Sequence, residues 1–200
     1  MRHKLQQILT SLILFFTTIC VFSQEQTNKL SFLQDDIQTQ LNKKTETVFL
    51  KRKPFSVRFM NEKYDEETSQ FYSMKVAILS NPKDTLILAT EKEIDLIPFF
   101  APGSGMAPGV NNMYDTIFIT NNGSHYIIYD GEDDNRAYLI SKENQTLELE
   151  WKILAANYKD KFFQLDKLKL STLYFVLLID KNLNDIIDEN ELNIVIVTFI

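Results

Sequence analysis

The stretch 180–192, DKNLNDIIDENEL, places oxygen donors at a spacing that suits a hard cation. Calcium takes about six to eight oxygens, and a loop of about twelve residues supplies them from positions 1, 3, 5, 7, 9 and 12. Those positions here are Asp180, Asn182, Asn184, the carbonyl of Ile186, Asp188 (directly or through a water) and Glu191. A glutamate in the last position has the reach to return two oxygens at once, and Ile187 supplies an apolar plug that turns inward. The competing use of the same residues is an acidic turn in which Asp180 and Asn184 accept hydrogen bonds from backbone amides. Mutual repulsion among Asp180, Asp188 and Glu191 weighs against that use, because no bound cation would then relieve it.

By type and spacing the stretch resembles the EF-hand calcium loop. It looks most like the versions found in extracellular modules, such as dockerin repeats, or in the B-type repeats of bacterial surface stalks, where strands rather than helices flank the loop. The resemblance covers residues 180–192 only and implies calcium as the ion. Three departures stand beside it. Asp185 occupies the sixth position, where glycine is usual, and Leu183 puts an aliphatic side chain at the fourth. The acidic run beginning at Asp130 fails as a second loop, since it places Ala137 and Ser141 where the plug and the closing glutamate belong. A single loop between strands has no helix pair to open. The expected role is therefore structural, with a dissociation constant of about 10⁻⁴ to 10⁻³ M. Free calcium at ten times that value adds only ~1.4 kcal/mol to the fold.

Other chemistry is sparse. Cys20 is the single cysteine, and the histidines are His3 and His125. His125 follows an Asn122-Gly123 turn signal and opens an apolar strand, where its neighbour Ser124 faces the opposite side and is badly placed to share a proton. Acidic clusters at Tyr64–Glu67 and Asp130–Asp134 offer carboxylates to a secreted hydrolase acting on glycans, the alternative functional class, but that chemistry needs two carboxyls facing across a cleft. The irregular stretch 97–113 carries Gly103, Gly105, Gly109 and three prolines. It lacks the Gly-Lys-Ser/Thr ending of a phosphate loop and the Gly-x-Ser-x-Gly of a nucleophile elbow. Two uses remain for it: a contact surface for a protein or glycan, lipped by Phe99, Phe100 and Met106, or a crossover with both phenylalanines buried.

The N-terminus reads as an export signal. Met1–Lys4 is basic, Leu5–Phe22 is mostly apolar, and Val21-Phe22-Ser23 offers a cleavage site after Ser23. Residence in the periplasm, at the cell surface or outside the cell is the expectation, with no further segment long enough to anchor the chain. Loss of Arg2 and Lys4 leaves 19 basic groups against 27 acidic ones, a net charge of −8. An acidic chain repels phosphate backbones, which excludes nucleic acid as a partner class. Cys20 leaves with the signal, so residues 24–200 carry no disulfide and must be held by their core.

These residues have to be positioned by strands. Phe55, Val57 and Phe59 alternate with polar neighbours, as do Leu147, Leu149, Trp151 and Ile153, which is the period of a half-buried strand. Further β-type runs cover 71–79, 86–89, 114–119, 126–129, 137–140, 174–179 and 194–200, with turn clusters at 80–84, 120–123 and 130–135. Ser31-x-x-Gln34 with Leu33, Ile37 and Leu41 predicts a helix over Ser31–Lys43, and a second short helix is expected within Asn157–Lys169. The expected fold is a single β-sandwich, immunoglobulin-like or jelly-roll-like, over 46–200, preceded by the signal and a helical or linker segment over 24–45.

Overall fold

The computed structural model describes residues 30–41, 45–62, 72–100, 118–120, 137–159 and 161–200. The strands in chain order are β1 (Leu30–Gln34), β2 (Ile37–Gln40), β3 (Thr45–Leu50), β4 (Phe55–Asn61), β5 (Ser73–Leu79), β6 (Phe118–Thr120), β7 (Ala137–Glu143), β8 (Thr146–Ile153), β9 (Ala155–Tyr158), β10 (Lys161–Gln164), β11 (Thr172–Asp180) and β12 (Leu192–Phe199). They form a five-stranded sheet ordered β2-β1-β4-β8-β7, a four-stranded sheet ordered β3-β12-β11-β5 and a small sheet ordered β10-β9-β6.

The two larger sheets pack face to face as a sandwich. On β4 and β8 burial follows the sequence alternation, and Phe55, Val57 and Phe59 stand opposite Ile153, Trp151 and Leu149. From the other sheet, Leu173, Phe175, Leu177 and Ile179 of β11 and Val195, Val197 and Phe199 of β12 enter the same core. Phe175 is the junction. Its ring meets Phe32 edge-on at 5.7 Å and lies 6.3 Å from Trp151, so strands of both sheets share one aromatic cluster. Each such side chain, once buried, contributes about 1.5–3 kcal/mol.

The outer face of the four-stranded sheet is also covered. Ala77 and Leu79 of β5 and Val176 and Leu178 of β11 pack against Ile94, Ile97, Phe99, Phe100 and Ile187 in a second core. Burial on both faces explains why β5 and β11 read as continuous apolar runs while β4 and β8 alternate. Phe99 and Phe100 are covering residues, not a lip: they are 0% and 6% exposed, with their rings edge-on at 4.9 Å.

Neither expected helix is present among the described residues. Ser31–Lys43 forms, as far as Leu41, the hairpin β1–β2, turning at Asp35 and Asp36 with φ of 55° and 61°. The spacing of Leu33, Ile37 and Leu41 is accidental, since Ile37 is 68% exposed while Leu30 and Phe32 are buried against β4. Gln34 does not close a capping box; its amide donates to the carbonyls of Lys51 and Lys53 and accepts from the Lys51 amide at 2.7 Å. The Asn157–Lys169 stretch holds the β9–β10 hairpin and a 3-10 turn at Leu165–Lys167. The strand expected over 86–89 gives way to a 3-10 turn, Pro82–Ile87, which Asn81 caps by accepting from the Lys83 amide. Among the described residues no helix is long and apolar enough to cross a membrane. The signal at 1–23, His125, Gly103–Gly109 and the clusters at 64–67 and 130–134 lie outside the described residues, apart from the two residues 137 and 141 named beside the last of them.

Candidate functional site: the loop between the last two strands

Strands β11 and β12 are antiparallel neighbours, paired from Thr172↔Thr198 to Leu178↔Leu192, and the candidate loop connects them. Asp180 ends β11 in register with Ser73 and is buried. Its carboxylate organises the first half of the loop. Oδ1 accepts from the amides of Leu183 at 2.7 Å and Asn184 at 3.3 Å, and Oδ2 accepts from the Asp185 amide at 3.0 Å. Turning the chain this tightly puts Leu183 and Asp185 in the left-handed region, with φ of 58° and 59°. The positive φ expected at the sixth position is thus met by an aspartate, one of the few non-glycine residues that adopt it readily.

Glu191 closes the second half. Its Oε1 accepts from the Lys181 amide at 2.7 Å and its Oε2 from the Asp188 amide at 3.0 Å, so the last candidate ligand reaches back to the start of the loop. The Glu191 carbonyl also accepts from the Ile179 amide at 2.9 Å. Between the two ends, Asn182 and Asn184 turn toward Asp188. Their Nδ2 groups donate to the same Asp188 oxygen at 2.7 and 2.9 Å, while their Oδ1 atoms accept from the amides of Asn184 and Ile186 at 3.2 and 2.9 Å.

The structure thus brings Asp180, Asn182, Asn184, Ile186, Asp188 and Glu191 into one closed turn, in which both oxygens of Asp180 and Glu191, both asparagine Oδ1 atoms and Asp188 Oδ2 accept hydrogen bonds from within the turn. Among the described residues, no three His, Cys, Asp or Glu side chains are grouped closely enough to hold a metal. For an ion to enter, both asparagine amides must turn over, presenting Oδ1 in place of Nδ2. That move gives up two side-chain donors on Asp188 and the Oδ1 bonds to the Asn184 and Ile186 amides in exchange for a divalent charge.

The turn is docked on a neighbour that its own sequence does not announce. The Ile187 amide donates to the Lys92 carbonyl at 2.8 Å, and the Ile187 carbonyl accepts from the Glu91 amide at 2.9 Å. The Asp185 carbonyl accepts from the Ile94 amide at 2.8 Å, and Glu93 forms an antiparallel bridge with Ile186. Ile187 itself is fully buried in the second core, as a plug residue should be. Beneath this junction lies Lys75, 2% exposed, on the same face of β5 as Ala77 and Leu79. Burial lowers its pKa, and the nearby charges of Asp95 and Asp185 offset part of that effect. The signal for it is a lone lysine in the otherwise apolar stretch 74–79. Next to the loop, burial and then the charges of Glu62 and Glu191 hold the Tyr72 phenol above its ordinary range.

A second feature lies at the opposite flank, where the edge strands β2 and β3 leave a cavity of about 130 Å³ lined by Phe32, Ile37, Phe49 and Ile200 among others. The chain matches no family model, and no curated protein or solved structure resembles it significantly.

Proposed function

We propose that the protein is an exported binding or interaction module whose last β-hairpin is stabilised by calcium at the loop 180–191. The observation that carries the reading is the closure of the turn by Glu191 onto Lys181 and Asp188. The twelfth residue of the pattern thereby accepts from the backbone amides of the second and the ninth, drawing the two ends of the turn together. Positive φ at Asp185 and the buried Ile187 plug support the same reading. Asp180, Asn182, Asn184, the Ile186 carbonyl, Asp188 and Glu191 would hold the ion, which supplies countercharge and no catalysis. With three carboxylates and an unpaired loop, affinity belongs to the weak extracellular class, about 10⁻⁴ to 10⁻³ M.

The self-contained hydrogen bonding of the turn favours a second reading, in which Asp180, Asp188 and Glu191 are satisfied by backbone and asparagine donors and no ion is taken. The side-chain amides separate the two. Under the calcium reading, adding millimolar calcium shifts the Nδ2H₂ nitrogen and proton resonances of Asn182 and Asn184 in a saturable way, because both lose Asp188 as acceptor. Unmoved side-chain amide signals would establish the acidic turn instead. As for partners, the burial of Phe99 and Phe100 removes them from the contact surface expected at 97–113. Exposed Ile37, Phe49 and Ile200 beside the flank cavity offer one apolar surface among the described residues.

A further inference from the structure

The candidate loop and the segment 91–97 come from distant parts of the chain, yet they meet through paired backbone bonds, a shared core and a buried cation. We infer that they form a single latch on the outer face of the four-stranded sheet, over the face of β5 that carries the buried Lys75, and that the latch opens and closes as one unit separately from the strands beneath it.

Three observations support the latch. The three amide–carbonyl bonds of the junction, from Glu91 to Ile187, from Ile94 to Asp185 and from Ile187 to Lys92, join the two segments to each other rather than to the sheet. Neither segment can leave alone without stranding groups of the other. The apolar contacts follow the same division: Ile187 from the loop and Ile94 and Ile97 from the segment pack into one small core, distinct from the large core that holds the sandwich. Lys75 adds charge to this geometry. It stands on the face of β5 that carries Ala77 and Leu79 of the second core, and the carboxylates whose charges act on it are Asp95 on the segment and Asp185 on the loop. Both carboxylates are on exposed residues, so each stays hydrated while the ammonium does not. An ammonium held in an apolar site is costly unless anions face it, and here the two anions sit one on each half of the latch. Locally cooperative units of this kind open below the free energy of global unfolding.

The inference goes beyond calcium binding and holds without it. Native-state amide exchange of the full chain, in chelator, tests it by mutating one half and reading the other. Asp95→Asn alters an exposed residue of the segment; the latch predicts about threefold faster exchange at the Leu183 and Asp185 amides, the size expected for one partly solvated charge pair. Those amides bond only to Asp180, not to the segment. Asp180→Ala alters the loop and should speed exchange at Ile94 and Ile97, while Val76 and Val176 in the strands keep their protection. Lys75→Met should speed all four latch amides, with Lys75→Arg retaining most of the protection. Acceleration confined to the mutated half would overturn the latch. So would loss of strand protection in step with the latch amides in Asp95→Asn. Repeating the Leu183 and Asp185 measurement with calcium bears on the ion alone, so the two readings fail separately.

Discussion

Glu150 shows how a charged group is accommodated on the sandwich and what that implies for acid stability. It lies on the outer face of β8 opposite Arg58, with only 10% of its side chain exposed. Oε2 accepts from Arg58 Nε at 2.7 Å and Oε1 from Ser56 Oγ at 2.9 Å. Burial raises its pKa, but the Arg58 and Ser56 hydrogen bonds and the charges of Arg58 and Lys152 outweigh it, so the net shift is downward. A carboxyl with a depressed folded pKa contributes stability above its unfolded pKa and loses it as pH falls through the folded value. Glu150→Gln should therefore cost about 2 kcal/mol at neutral pH, and the gap to the parent should close as pH is lowered below 4.5, the ordinary value. Denaturant midpoints of both proteins at pH 7 and at successive values below 4.5 check this; a gap that does not narrow as the pH falls would mean packing, not charge, is what Gln loses. The residue types at this position were legible, since Glu148, Glu150 and Lys152 alternate with the core residues. Their pairing with β4 was not, because it joins segments far apart in the chain.

At the scale of elements, period two was readable wherever one face of a strand is buried, as in β4 and β8. It failed at β1–β2, where Leu33, Ile37 and Leu41 mimic a helical stripe. There the tertiary pairing of Leu30 and Phe32 with Phe59 and Val57 decides the outcome, together with the left-handed Asp35-Asp36 turn. In the loop, donor spacing was legible because it is a property of sequence offsets. Side-chain amide orientation and docking onto 91–94 were not, since each depends on a partner from elsewhere. The loop backbone makes its own prediction. Leu183 holds φ of 58° with an exposed aliphatic side chain, a conformation that asparagine adopts at lower cost. Leu183→Asn should stabilise the protein by about 0.5–1 kcal/mol, read as a higher denaturant midpoint. An unchanged or lower midpoint would show that the Leu183 side chain contributes contacts the backbone argument omits.

At the scale of the molecule, β11 is the strand on which both cores depend. It pairs with β5 and β12, sends Phe175 and Leu177 into the sandwich and Val176 and Leu178 into the second core, and ends at Asp180. Anything that fixes Asp180 fixes the end of this strand, so an ion held there is linked to the stability of the whole fold. The most direct measurement is calorimetric titration of calcium into metal-stripped protein, beside the Asp180→Ala plus Glu191→Ala variant, with melting temperatures recorded on the same samples. The account predicts one-site binding in the millimolar range that the double variant abolishes. It also predicts a rise in the parent's melting temperature of about 3–6 °C at ten times the dissociation constant. No heat of binding and no thermal shift in the parent at millimolar calcium would contradict it, and would leave residues 180–191 as a self-satisfied acidic turn at the end of the central strand.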